Sequence, residues 1–253
     1  MHATKPVLDW DAITREALRL HARYTTEVVE ALGLCPWAAD ARRAGRVSTH
    51  VVRSDSPEVA ESVALLATLA ADRDIDVAFA VYPLLDLDRK SFAHFVAELR
   101  AADAARYSVG ETVFALADFH PDAAADLTSA ERLVPFLRRT PDLTVQIVRR
   151  SALDAVRMSP DQGTSFVNLS QLSAEAWVSA LEVQPPPLAA RIAKNNLRTV
   201  TRMGTVALSD CVESILEDRH ASYFTLGVPL PQWKRTHETS STLGIHESIG
   251  KIR

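Results

Sequence analysis

Apolar residues recur at helical spacing from Asp11 to Leu32, where Ile13, Ala17, Leu20, Tyr24, Val28 and Ala31 share one face. Asp9 or Asp11 is the expected cap of this first helix. Thr49-His50-Val51-Val52-Arg53 reads as a short strand, and Ser56-Pro57 opens a helix to about Ala71. Val77 to Tyr82 and Thr112 to Ala117 are apolar almost throughout, the pattern of strands covered on both faces. Leu143 to Val148 reads as a fourth strand, closed by Arg149. Helices are expected between and after these strands, at Lys90 to Ala105, after the capping residue Ser129, and from Ser151 through Val156. Four strands alternating with helices predict an α/β fold, a four-stranded, mostly parallel sheet with right-handed crossovers.

Beyond this core, Ser173 to Leu181 reads as helical and Pro185-Pro186-Pro187 as a stiff connector. A helix from Leu188 to Met203, ended by Gly204, and a last one from Val206 to Glu217 complete the pattern. The expected organisation is therefore one α/β domain over residues 1–204 and a helical extension with a flexible tail over 205–253. His237 to Arg253 is the tail, rich in Ser, Thr, His and Gly without period.

With 47% hydrophobic residues the chain can bury a substantial core. A formal charge of −4 and a pI near 6.1 give no electrostatic footprint for nucleic acid or an anionic membrane. No apolar run approaches the ~20 residues that span a bilayer. Cys35 and Cys211 are too few for a secreted disulfide framework, and no signal peptide is evident, so a cytoplasmic protein with free thiols is expected.

The stretch Leu32-Gly33-Leu34-Cys35-Pro36-Trp37-Ala38 is the candidate reactive centre. Gly33 stops the first helix and Pro36 suits the first position of a second, which makes Cys35 the expected N-cap. A thiol beside unpaired N–H groups and the positive end of a helix has a lowered pKa. The alternative is a buried cysteine acting as a small hydrophobe.

Ligands of open parallel sheets bind beyond the carboxyl ends of the strands. Here those ends carry Arg53, Tyr82, His120 and Arg149, which a parallel sheet would gather on one edge. Two arginines there suit a carboxylate or phosphate. His120 is a candidate base, acid or metal ligand, or else caps the strand by bonding a carbonyl. Asp122 either orients His120 or caps the next turn. Tyr82 alternatively packs the sheet end, and Arg53 and Arg149 alternatively form surface ion pairs. Arg138 and Arg139 are adjacent, so at most one of them faces inward. The chain has no glycine-rich phosphate loop, Gly-x-Ser-x-Gly elbow, His-Glu-x-x-His or Cys-x-x-Cys, and its 8 glycines disfavour a nucleotide cofactor.

These residues carry a resemblance. Leu32 to Ala38, Phe119-His120-Pro121-Asp122, and Arg139-Thr140-Pro141 followed by Arg149 resemble the motifs of a bacterial family known as domain of unknown function 1415. Ile192-Ala193-Lys194-Asn195-Asn196-Leu197 through Gly204 resembles its closing helix, so the likeness runs from about Ile13 to Gly204. The sequence departs from that pattern at Trp37, where phenylalanine is usual, and at Leu143, which replaces a second proline. The segment after Gly204 extends beyond the pattern. The resemblance implies no established activity, but it groups Cys35, His120, Arg139, Arg149 and Asn196 as members of one site.

Three functions compete at this stage. One is an enzyme acting on a small anionic molecule, with Cys35 as nucleophile or redox thiol, His120 as base, and Arg139 and Arg149 as anion clamp. Another is a haem or transition-metal protein using Cys35 or His120 as ligand. The third is a non-catalytic module that binds an anion or a protein.

Overall fold

The computed structural model describes residues 8–35, 37–107, 112–158, 188–229 and 231. Its helices are α1 (Trp10–Arg23), α2 (Ala38–Arg43), α3 (Ala60–Ala71), α4 (Arg89–Ala104), α5 (Ala130–Leu137), α6 (Arg150–Met158), α7 (Leu188–Met203) and α8 (Thr205–Thr225). Its strands are β1 (Val47–Val51), β2 (Val77–Tyr82), β3 (Phe114–Phe119) and β4 (Leu143–Arg149). The expected Ser173 to Leu181 helix, the proline connector and the tail lie outside the described residues.

The alternation predicted from sequence is present, but the sheet is mixed rather than mostly parallel. Its order is β1-β2-β4-β3. Only β1 and β2 are parallel, and β4 runs antiparallel to both of its neighbours. The β3–β4 connection is the point of difference, and its helix is α5. It buries Leu133, Phe136 and Leu137 in a helical cluster instead of returning over the sheet. The chain thus leaves β3 at His120 and comes back beside it, where the His120 N–H donates to the Arg138 carbonyl at 3.1 Å.

Two cores flank the sheet. One face carries Ala78, Ala80, Val145 and Ile147 under Leu66 and Leu69 of α3 and Phe92, Phe95 and Leu99 of α4. The other core gathers α1, α5, α7 and α8 around Leu20, Leu133, Val200, Val212 and Tyr223. The last helix is longer than expected and belongs to this core, with Leu208, Val212, Ile215 and Leu216 all buried.

The first helix is α-helical only to Arg23 and then widens into a seven-residue π-helix, Tyr24–Glu30. Thr25 and Thr26 donate their hydroxyls to the His21 and Ala22 carbonyls at 3.0 and 2.9 Å, which competes with the regular ladder and accompanies this widening. Gly33, at φ 63°, then ends the helix: its N–H reaches the Glu30 carbonyl at 3.1 Å and the Leu34 N–H the Val29 carbonyl at 2.9 Å, a glycine cap just ahead of the Cys35 loop.

His21 is 4% exposed, packs its ring 4.7 Å from that of Phe79, and among the described residues has no hydrogen-bond partner for either ring nitrogen. Burial pushes its pKa from 6.5 down to about 4. The neutral ring is therefore the folded form, and its stabilising contribution is complete above pH 6.5 and lost as the pH falls toward 4. We predict that acidification through this window costs roughly 3 kcal/mol through His21 alone. His21→Leu should be neutral or stabilising at pH 7 and should flatten that part of the pH dependence in urea denaturation.

Candidate active site

Cys35 follows the π-helix, Gly33 (φ 63°) and the buried Leu34. It is not the cap of the next helix: α2 begins at Ala38 with Trp37 as its N-cap, and Pro36 lies outside the described residues. Arg42 of α2 grips Glu30 with a two-pronged ion pair, Nε at 2.7 Å and Nη2 at 2.8 Å, and so closes the loop that carries the cysteine. Burial pushes the Cys35 thiol up from its ordinary value, against the smaller pull of the Trp37 and Ala38 N–H groups. The lowered pKa expected from sequence is thus reversed, because desolvation of the half-buried sulfur outweighs the two backbone donors.

His120 stands just beyond β3, 4% exposed. Its Nδ1 accepts the Asp122 N–H at 3.0 Å and its Nε2 lies 3.0 Å from the Leu87 carbonyl. A nitrogen that accepts a backbone N–H carries no proton, so the ring is the neutral Nε2–H tautomer and Nε2 donates to Leu87. Burial holds its pKa below the ordinary value, against these two backbone bonds. Asp122 orients the imidazole through its backbone.

Because β4 is antiparallel, the two arginines of the expected clamp lie at opposite edges. Arg149 ends β4 far from His120, beside the start of β2 and β3. Its Nε donates to the Ile75 carbonyl at 3.0 Å, its Nη2 to those of Leu69 and Asp72 at 2.9 and 2.6 Å, and its guanidinium covers Phe114 at 5.0 Å. It closes the end of α3. Arg139 does lie at the His120 edge but is also spent. Its Nε donates to the Pro121 carbonyl at 2.9 Å, Nη1 to Ser209 at 3.3 Å, and Nη2 pairs with Glu213.

The edge that holds His120 is completed by the residues just before β4. Asp142, 1% exposed, accepts Arg219 Nε at 2.7 Å and the Tyr223 hydroxyl at 2.8 Å. Arg219 also donates to the Pro83 carbonyl at 3.3 Å and lies 4.5 Å over the Tyr223 ring. The Asp142 carbonyl accepts the hydroxyls of Thr140 and Thr144 at 2.7 and 2.9 Å. The turn into β4 is thereby clipped to α8.

Tyr82, buried at the end of β2, bonds Ser62 at 2.8 Å between Phe92 and Phe95, and burial pushes its hydroxyl pKa up. Arg53 pairs with Asp11 at 2.7 Å in an exposed position. Asn196 is buried on α7. The structure thus brings His120, Asp122 and Arg139 together on one edge and separates Arg149 from them.

A recess of about 30 Å³ opens at this edge, lined by Arg89, Asp118, His120, Ala123, Pro135 and Arg138. Arg139 is the more buried member of the pair, at 8% exposed, and Arg138 is half-buried at the recess. The Arg138 guanidinium lies 5.2 Å over the Phe119 ring, burial lowers its pKa from the usual guanidinium value, and no ion pair or side-chain hydrogen bond of it occurs among the described residues. Asp118 was legible as the one charged residue in an apolar strand; Arg89, at the start of α4, carried no sequence signal. Among the described residues no three His, Cys, Asp or Glu side chains are grouped to hold a metal ion. No described helix is long and apolar enough to cross a membrane.

Removing one member of the buried clip leaves the other charged and unmatched. Arg219→Met is expected to destabilise the fold by about 3–5 kcal/mol, and the double variant Arg219→Met with Asp142→Leu to recover most of that loss, as read by urea denaturation.

No curated protein and no solved structure matches the chain. The sequence model of the DUF1415 proteins of unknown function matches residues 17–171, a span that contains the Cys35 loop, His120, Arg138 and Asp142 and ends before Asn196. With well over half of its length matched, the chain belongs to the DUF1415 family.

Proposed function

We propose that this protein is a small cytoplasmic enzyme that acts on an anionic small molecule, with Cys35 and His120 as its reactive centre and Arg138 as the group that holds the anion. The observation that carries this reading is the state of Arg138. A half-buried guanidinium without an ion-pair partner among the described residues gains more from an incoming carboxylate or phosphate than one already paired. Arg139 and Arg149 are committed to protein acceptors, so the clamp read from the sequence passes to Arg138, with Arg89 at the rim.

The chemistry follows from the protonation states. Cys35 rests as a thiol, and its two N–H neighbours favour the thiolate once a base removes the proton. His120 is neutral and borders the recess. It becomes an acceptor when a bound molecule displaces the Asp122 N–H from Nδ1, and a donor through Nε2 when one displaces the Leu87 carbonyl. Both cysteines are free, which suits a reducing compartment.

Two alkylating reagents of nearly equal size test the reading. In each, a thiolate displaces iodide, but iodoacetate carries a carboxylate and iodoacetamide does not. At pH 7, followed by peptide mass spectrometry, Cys35 should prefer iodoacetate by about tenfold relative to the exposed Cys211, and Arg138→Met should abolish that preference. The same reagent order at both cysteines, or a preference that survives Arg138→Met, contradicts the proposal.

A further inference from the structure

Resting on Arg138 as the anion holder, we propose that the molecule held in the recess is a zwitterion, a 2-amino acid or a compound with the same head group. Its carboxylate takes the Arg138 fork and its ammonium meets Asp118. Asp118 is the last but one residue of β3, half-buried, and lines the same recess as Arg138. The two charges interact electrostatically, yet they are not within the 4.0 Å of an ion pair. Neither forms an ion pair with any other described residue. Opposite charges that share a recess without a direct ion pair present matched ends to a ligand that carries both signs.

The competing small ligands each leave a charge unmatched. A phosphate would set a second negative charge against Asp118. An amine would face Arg138 and Arg89. A simple carboxylate would satisfy Arg138 and leave Asp118 without a cation. His120 adds no charge of its own, since it is the neutral tautomer. The recess of about 30 Å³ holds about two waters, so it seats only the charged ends of the head group and the rest of the molecule lies outward past the exposed Arg89.

The test uses the full chain and four probes: glycine, acetate, methylammonium and inorganic phosphate, with affinities from calorimetric titration. Glycine should bind about tenfold more tightly than any of the other three. Asp118→Asn should abolish the preference of the site for glycine over acetate, with acetate bound as well as or better than in the wild type. Arg138→Met should remove both, and Arg138→Lys, which keeps the charge without the fork, serves if the methionine variant does not fold.

Acetate or phosphate binding as tightly as glycine overturns the inference, as does a preference for glycine over acetate that survives Asp118→Asn. Absence of glycine binding overturns it too. In each of these cases the iodoacetate preference at Cys35 decides separately whether the anion site itself stands.

Discussion

The edge of the sheet that carries His120 depends on a carboxylate with almost no access to water. Asp142 marks the point where the chain turns into β4, and its charge is tolerable there only because Arg219 and the Tyr223 hydroxyl meet both of its oxygens. That pairing fixes the antiparallel entry of β4 and joins α8 to the sheet. Arg139 adds a second tie between the same helix and the carbonyl that follows His120. The Thr140 and Thr144 hydroxyls close the turn on the Asp142 carbonyl. Two short motifs, Phe119-His120-Pro121-Asp122 and Arg139-Thr140-Pro141-Asp142, are thus one piece of structure, bound through the His120 N–H to Arg138 and the Arg139 guanidinium to Pro121.

This arrangement gives three arginines three different fates. Arg149 supplies carbonyl-binding donors at the far edge, Arg139 locks loop to helix, and Arg138 is left facing a recess over the Phe119 ring. Chemistry of the same kind in three places therefore has one exposed outlet. Cys35 is carried on a separate support, a π-helix tied to α5 by the Tyr24 hydroxyl on the Leu137 carbonyl and a loop closed by the Glu30–Arg42 pair, and is not among the residues that line the recess.

The periodic parts of the fold were legible in the sequence. The positions of β2, α4 and α7 follow from apolar runs and helical spacing, and Asp9 and Ser129 cap their helices as residue type suggests. Strand direction was not legible, because alternation of strands and helices does not record whether a connecting helix packs back over the sheet or, like α5, into a separate helical cluster. A parallel β4 would set Arg149 beside His120, whereas the antiparallel strand sets it at the far edge. Gly33 ends the preceding helix as expected, but α2 proper starts only at Ala38 with Trp37 as its N-cap, so Cys35 keeps the Trp37 and Ala38 N–H groups near its sulfur without being the cap. His120 was recognised from its place between an apolar strand and a proline. Of Arg138 and Arg139, sequence allowed at most one to face inward; Arg139 is the buried one, bonded to Pro121 and Glu213, and Arg138 is half-buried at the recess.

The central claim is that Arg138 alone of these three arginines is available to an anion, and nuclear magnetic resonance of the arginine Nε–Hε groups tests it directly. On titration with acetate, the Arg138 resonance should shift and saturate while those of Arg139 and Arg149 stay in place. Equal shifts of all three, or a shift confined to Arg139 or Arg149, would contradict the account.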